Sequence, residues 1–511
     1  MAWPFDFGSM VGLKQGQPAG WLQLLAIGLL VGQLDAARSW RRGAWLGGLF
    51  ATVMQCATSW WLFISLHVYG GLPAPLTVFA IVLLTALLGL YYAAAAGFFV
   101  AIAPVQHAWR AIVFAALWLL AELARVKFFT GFPWGEGGYA HVDGWARPLA
   151  AWIGVHGLTF LAAAVAGWLA FALLAPKTRW LAALAVGAAG IAVAWLPVSS
   201  ATAVETDAAL VKPLSVTLLQ GNIPQEEKFQ GGTGVQAALR WYGEQLQDAR
   251  SALVVAPETA LPLLLQQLPD GYWQALRSRY ARGGQAALIG LPLGSFSSGY
   301  SNSVVGLKPG QSDQTHQLVA AGLSGVYRYD KHHLVPFGEI IPPGFHWFID
   351  LMHIPLGDFI RGAVGQPSFE WRGQRLAPNI CYEDLFGEEL GARFIDPARA
   401  PTIFVNVSNI GWFGNTVAID QHLQISRMRS LEFSRPMIRA TNTGATVIID
   451  HRGEVTQSLP RYTRGVLVGD VQGRSGITPY AWWTARFGLW PLWAAGVVVP
   501  GLALALRRRR R

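Results

Sequence analysis

Hydrophobic positions are spread along this chain in two different ways. Over residues 20–196, and again over 487–506, apolar residues run on almost without a break, built from Leu, Ala, Val, Trp and Gly. Between Leu214 and Gly476 they come in short bursts separated by polar clusters. A helix that crosses a bilayer needs about 20 mainly apolar residues. The first pattern supplies such segments at Gly20–Ala36, Gly43–Leu66, Leu76–Ala103, Trp109–Leu123, Leu149–Leu174, Trp180–Leu196 and Phe487–Leu506. Trp109–Leu123 is the weakest, because it holds Glu122. The second pattern predicts strands at Leu214–Leu219, Leu253–Ala256, Ala287–Leu291, Ser303–Leu307, Leu376–Ile380, Thr402–Val407 and Thr446–Ile449, with a helix over Gln421–Phe433. The expected organisation is a helical membrane domain over 1–200, a water-exposed α/β domain over 212–476, a last membrane helix over 487–506 and an arginine tail over 507–511.

Composition agrees with two solvents for one chain. Of 511 residues, 53% are hydrophobic and 13% charged, against about 25% charged in soluble proteins. The net charge of +10 would in a soluble chain raise the question of nucleic acid. Here the basic residues cluster in alternate connections: Arg38–Arg42, the region of Arg110, Lys177–Arg179 and the tail Arg507–Arg511. The intervening connection His67–Pro75 has no Lys or Arg, and Arg125–Pro148 has Arg125, Lys127 and Arg147. The positive-inside rule places the first set in the cytoplasm, and so puts residues 212–476 outside it, in a bacterial periplasm. The arginine tail then suits anionic lipid, and no nucleic-acid partner is expected. This topology starts outside the membrane with no signal peptide. Either the first helix inserts with its amino end outside, or the natural chain starts further upstream with one more helix.

Chemistry concentrates in the water-exposed segment. Of the two cysteines, Cys56 lies in an apolar run and Cys381 in the α/β region, so a disulfide between them is not expected. A free thiol outside the cytoplasm is open to oxidation, and its presence asks for a reason. Several predicted strands end in polar clusters: QGNIPQ at Gln220–Gln225, PETALP at Pro257–Pro262, CYED at Cys381–Asp384 and NVSNIGWFG at Asn406–Gly414. Strand ends are where α/β architectures gather functional groups. Singly, Glu258 reads as a helix-capping carboxylate, Lys331 as a solvated loop lysine and Cys381 as an inert thiol. Together they supply a base, a cation for a developing oxyanion and a soft nucleophile. His332 and His333 beside Asp330 match no common metal spacing, and HExxH is absent. No metal and no cofactor are expected.

PETA with Glu258, KHHLVPFGE with Lys331 and NICYED with Cys381 resemble the Glu-Lys-Cys signature of the nitrilase superfamily. More closely, QGNIPQ, FPW at Phe132–Trp134, HLVPFGE, QHLQISRMRSLEFSRP and RATNTGAT are similar to the apolipoprotein N-acyltransferase family, over nearly the whole chain. The resemblance implies a multi-span helical domain joined to an α-β-β-α sandwich. It implies Glu258 as general base, Lys331 steadying the tetrahedral intermediate, and Cys381 taking an acyl chain as a thioester. Phospholipid, phosphatidylethanolamine above all, would be the donor, and the α-amine of a diacylglyceryl-cysteine in an apolipoprotein the acceptor. A monomer in the inner membrane is expected. Glu339 corresponds to a second carboxylate that positions the triad, and Tyr382 and Glu383 to positions the family needs for activity.

The chain departs from the family in places. Phe229 stands where a Trp is common, and Ile410 replaces the Asp of SNDAWFG. The run Ala2–Gly8 looks like the loop after the first of the family's eight helices. The apolar segment Ile340–Val364 is expected to dip into the outer leaflet as a lid through Phe345, Trp347, Phe348, Leu351 and Met352; a buried helix is the other reading. Trp134 and Trp412 join Phe229 as substrate-side candidates. Two rival functions stay open. A membrane-anchored amidase would share the acyl-enzyme, whereas a transporter would show charged mid-span residues and an internal repeat.

Overall fold

The computed structural model describes residues 14–104, 106–174, 212–295, 299–310, 326–341 and 359–509. The chain divides into two compact units, Met1–Ala201 with Phe487–Arg511, and Thr202–Arg486.

The first unit is helical: α1 (Gly20–Asp35), α2 (Trp40–Ser59), α3 (Ala74–Ile102), α4 (His107–Lys127), α5 (Ala150–Leu174) and a C-terminal helix, Trp490–Arg509. Among the described residues, three helical stretches are long and apolar enough to cross a membrane: Ala74–Ile102, Arg147–Ala172 and Trp490–Arg507. Helix α1 is apolar but spans only 16 residues. The expected span Trp180–Leu196 lies outside the described residues. The expected Gly43–Leu66 span is interrupted, since α2 stops at Ser59 and a wider helical turn follows at Ile64–Tyr69. Near that end Thr58 Oγ1 donates back to Met54 O (2.8 Å), a bond that bends helices.

Small residues let α2 and α3 approach closely. A Cβ on Gly47 would collide with Ala96 and with the Tyr92 carbonyl, and one on Gly89 would lie 3.1 Å from Gly48 O. Such seams replace hydrophobic collapse where the solvent is itself apolar. The outside of the unit is correspondingly greasy, with Leu29, Trp45, Phe79, Leu90, Phe98 and Val497 all exposed. Inside lies a buried ion pair, Arg125 Nη2 to Glu122 Oε2 at 2.9 Å. Tyr92 donates to Glu122 Oε1 (2.9 Å), and Arg125 Nη1 to Trp134 O (2.8 Å). These bonds draw the connection after α4 inward, so that Trp134 and Tyr139 are buried, with Trp134 against Trp61.

The second unit holds twelve described strands: β1 (Leu214–Gln220), β2 (Leu253–Val255), β3 (Ala286–Ser295), β4 (Gly299–Leu307), β5 (Tyr327–Asp330), β6 (Phe369–Trp371), β7 (Gln374–Ile380), β8 (Ile403–Ser408), β9 (Met437–Thr441), β10 (Val447–Ile449), β11 (Val455–Ser458) and β12 (Gly465–Val471). They form two six-stranded sheets, ordered β12-β1-β2-β3-β4-β5 and β11-β10-β9-β8-β7-β6. The middle strands β1-β2-β3 and β7-β8-β9 run parallel. Alternation divides their side chains between two cores. Val216, Leu218, Leu253, Val255 and Leu288 meet Leu376, Ile380, Val405, Val407 and Ile438 between the sheets. Val254, Ala287 and Ile289 face the opposite way, onto helices α6 (Gly234–Asp248) and α7 (Tyr272–Arg282). On the second sheet, Phe433 of α8 (Val417–Phe433) packs edge-on to Phe404 of β8. The result is the expected α-β-β-α sandwich. Parallel strands end on the same side, and QGN, PE, CYE, SNI and TNT all sit at or just beyond such ends.

Candidate active site

Cys381 is the first residue after β7 and opens the tight turn Cys381–Leu385. Its φ is 52°, a conformation that costs a residue with a Cβ about 1–2 kcal/mol, so the surroundings must hold it. Two anchors do so. Glu383 Oε2 accepts from Ile380 N at 2.6 Å, just before the turn. From α8, His422 Nε2 lies 3.1 Å from Cys381 O. His422 Nδ1 faces Arg439 Nη2 at 3.1 Å, and an arginine can only donate. The imidazole therefore accepts at Nδ1 and donates its Nε2–H to the cysteine carbonyl. Burial and Arg439 hold His422 well below its usual pKa, which keeps it neutral. Arg439 in turn pairs with Asp384 (3.3 Å), and Ser426 bonds both.

Glu258 lies just beyond β2 and is 7% exposed. Its Oε1 accepts from Asn302 Nδ2 (2.7 Å) and Lys331 Nζ (3.3 Å), and its Oε2 from Asn409 N (2.8 Å). Lys331 directly follows β5. Its Nζ also reaches Glu339 Oε1 at 2.9 Å, and Asn302 Nδ2 donates to that same oxygen at 2.8 Å. Two donors thus lie between two carboxylates. Burial by itself would discharge Lys331, but Glu258 and Glu339 outweigh it and hold the pKa above the ordinary lysine range. Cys381 shifts the other way in effect. Burial, then the charge of Glu258, push the thiol up to about 12 against the pull of Lys331 and the Ser408 hydroxyl.

Glu383 joins the two halves of this arrangement. Its Oε1 accepts from His332 N (2.6 Å) and His333 N (3.3 Å), while Oε2 accepts from Tyr329 OH (2.8 Å) as well as Ile380 N. One buried carboxylate thus ties the segment bearing Lys331 to the strand bearing Cys381. Tyr382 is buried, with its ring against His333 and Phe386. Phe229 and Trp412 are exposed, whereas Trp134 is buried in the helical unit. Ile410 is buried, so the position of the family's Asp is here an apolar one. Phe345, Trp347, Phe348, Leu351 and Met352 lie outside the described residues.

Four residues of the site escape the sequence reading. Asn302 sits in a strand, Asn409 contributes a backbone N–H, and His422 lies within a helical pattern. Lys228 is 1% exposed, with Nζ 3.1 Å from Glu258 O. Asn409 stood inside the NVSNIGWFG cluster and His422 inside the QHLQISRMRSLEFSRP motif without a role assigned, and the polar run Ser301–Asn302–Ser303 was the trace of Asn302.

Paired sheets with a carboxylate, ammonium and thiol at their strand ends make up a carbon-nitrogen hydrolase domain, and residues 215–480 match the family of that description. Residues 10–168 match the apolipoprotein N-acyltransferase N-terminal domain. A relative from Verminephrobacter eiseniae named apolipoprotein N-acyltransferase is 55% identical, over 100% of this chain and 98% of its own length. Another of that name, from Ralstonia nicotianae, is 45% identical over 96% and 90%. This chain belongs to the apolipoprotein N-acyltransferase family. A solved amidase of the nitrilase superfamily from Nesterenkonia shares 17% identity, covering 53% of this chain and 95% of that one at a TM-score of 0.36.

Proposed function

We propose that this membrane protein moves an acyl chain from a phospholipid onto the N-terminal α-amine of a diacylglyceryl-cysteine lipoprotein, through a thioester on Cys381. The observation that carries the reading is the pinning of Lys331 and Asn302 between Glu258 and Glu339, beside a thiol held at φ 52°. The sulfur attacks the ester carbonyl of the lipid while Glu258 takes its proton. Lys331 stabilises the negative oxygen that develops, a role suited to an ammonium fixed in a water-poor site. Collapse expels the lysophospholipid, whose alkoxide takes the proton back from Glu258. In the second half-reaction the amine attacks the thioester, Glu258 accepts the amine's proton, and the thiol is released as the amide forms. Glu339 and Glu383 position the ammonium and the nucleophile. Phosphatidylethanolamine is the proposed donor, and a monomer in the bacterial inner membrane with residues 212–476 in the periplasm the proposed setting. Phe229 and Trp412, both exposed, remain substrate-side proposals, with Phe345, Trp347, Phe348, Leu351 and Met352 as a proposed lid. The match of residues 10–168 to an acyltransferase N-terminal domain favours transfer over hydrolysis.

Mass spectrometry of the full chain given phosphatidylethanolamine tests this. A single acyl adduct is expected on Cys381, cleared when a diacylated lipopeptide is added and lost in Cys381→Ala. Release as free fatty acid without lipopeptide would make the protein a hydrolase instead, as the amidase reading requires. Transfer by Cys381→Ala would overturn the assignment of the nucleophile.

A further inference from the structure

The charges of the site do not balance when only the triad is counted. Glu258 and Glu339 are both carboxylates, and when the Cys381 proton passes to Glu258 that negative charge moves onto sulfur and then onto the carbonyl oxygen, so two negative charges persist throughout. Lys331 offers one positive charge, already shared between both carboxylates at 3.3 and 2.9 Å. A second ammonium is at hand. Lys228 follows the QGNIPQ segment after β1, is buried, and donates from Nζ to the backbone carbonyl of Glu258 itself at 3.1 Å. Among the described residues its hydrogen-bond partner is that neutral carbonyl, with no carboxylate oxygen at bonding distance. The ionisable groups that act on it are Glu258 and Cys381, and the Phe229 ring centroid lies 5.9 Å from its Nζ.

A lysine kept only to fill space has little reason to bury its amine, because an unpaired buried charge is expensive. We propose that Lys228 is a second cation of the active site, protonated while Cys381 reacts, supplying the positive charge that Lys331 shares out between its two carboxylates. This deepens the proposed function and rests on Cys381 as nucleophile. Lys228 enters and leaves the reaction protonated, and the thiol proton still goes to Glu258. Burial lowers Lys228 to about 7, while the negative charges of Glu258 and Cys381 oppose that fall. The coupling is mutual: a thiolate strengthens the hold of Lys228 on its proton, and a protonated Lys228 eases thiolate formation.

Alkylation of Cys381 by iodoacetamide, followed on its peptide by mass spectrometry in the full-length protein, reads this without any acyl transfer. The wild-type rate should change slope within about one unit of neutral pH, where the ammonium gives up its proton. Lys228→Met should lack that change of slope and react about tenfold more slowly at about pH 6. A Met variant with the wild-type rate and profile would overturn the proposal. So would a Lys228→Arg variant, which keeps a positive charge, that reacts as slowly as Lys228→Met. The change of slope in a protein whose Cys381 forms no acyl adduct would reject the proposed function and leave only the electrostatic coupling of Lys228 to the Cys381 thiol.

Discussion

Cys381 keeps its proton at neutral pH because burial and Glu258 both oppose a thiolate, so the proton has to leave as the sulfur attacks. Glu258→Gln removes the acceptor while keeping the shape, and should lower the rate of thioester formation by about 10²–10⁴-fold; wild-type turnover in that variant would remove Glu258 from the mechanism. The raised thiol pKa also has a consequence for stability. The unfolded chain releases this proton near 9 and the folded chain near 12, so across that window the native state binds more protons. Its contribution is complete below about 9 and is lost as pH rises through about 12. Thermal melts should therefore show wild type losing more stability than Cys381→Ala over that interval, and parallel melts would contradict the thiol's burial. Glu258 and Cys381 drew notice as polar groups at predicted strand ends and Lys331 in KHHLVPFGE, whereas Glu339 and Glu383 came only from the family resemblance. Lys228 and His422 were not legible, since a bond to a backbone carbonyl imposes no partner residue that a motif could carry.

At the scale of elements, the parallel strands were the easiest to read, because burial on both faces makes them continuous apolar runs. The sequence reading passed over β5, β6, β9, β11 and β12. Strand β9 carries Arg439, a charge that looks out of place until Asp384 and His422 are seen beside it. Edge strand β12 leaves Val468 exposed, which blurs its alternation. Spacing between elements is also set by single atoms. A Cβ on Gly290 of β3 would run into Pro257 O and come within 2.8 Å of Glu258 Cα. These are backbone atoms that cannot swing aside. Gly290→Ala should displace Glu258 and lower transfer by about 10²-fold, the loss that about 1 Å of misplacement can cause. A variant with full activity would mean that the strand does not set the position of the base.

For the whole molecule, the proposed topology makes a prediction that the chemistry does not. With the basic connections inside, alkaline phosphatase fused after about residue 212 should be active, and a fluorescent protein fused to the arginine tail should fold in the cytoplasm. The opposite pattern would turn the protein over in the membrane. The proposed partition of the chain between lipid and water rests on sequence alone, because transfer energies add up over about 20 consecutive residues and need no tertiary contact. Seven of the twelve described strands were likewise local, carried by apolar runs, and the proposed triad was carried by short motifs. Tertiary structure decided which charges meet. Lys228 and Glu258 are 30 residues apart, and Asn409 lies 151 from the Glu258 carboxylate it caps. Sheet order and burial bring them together, and only at that distance, out of water, does one group alter the proton affinity of another.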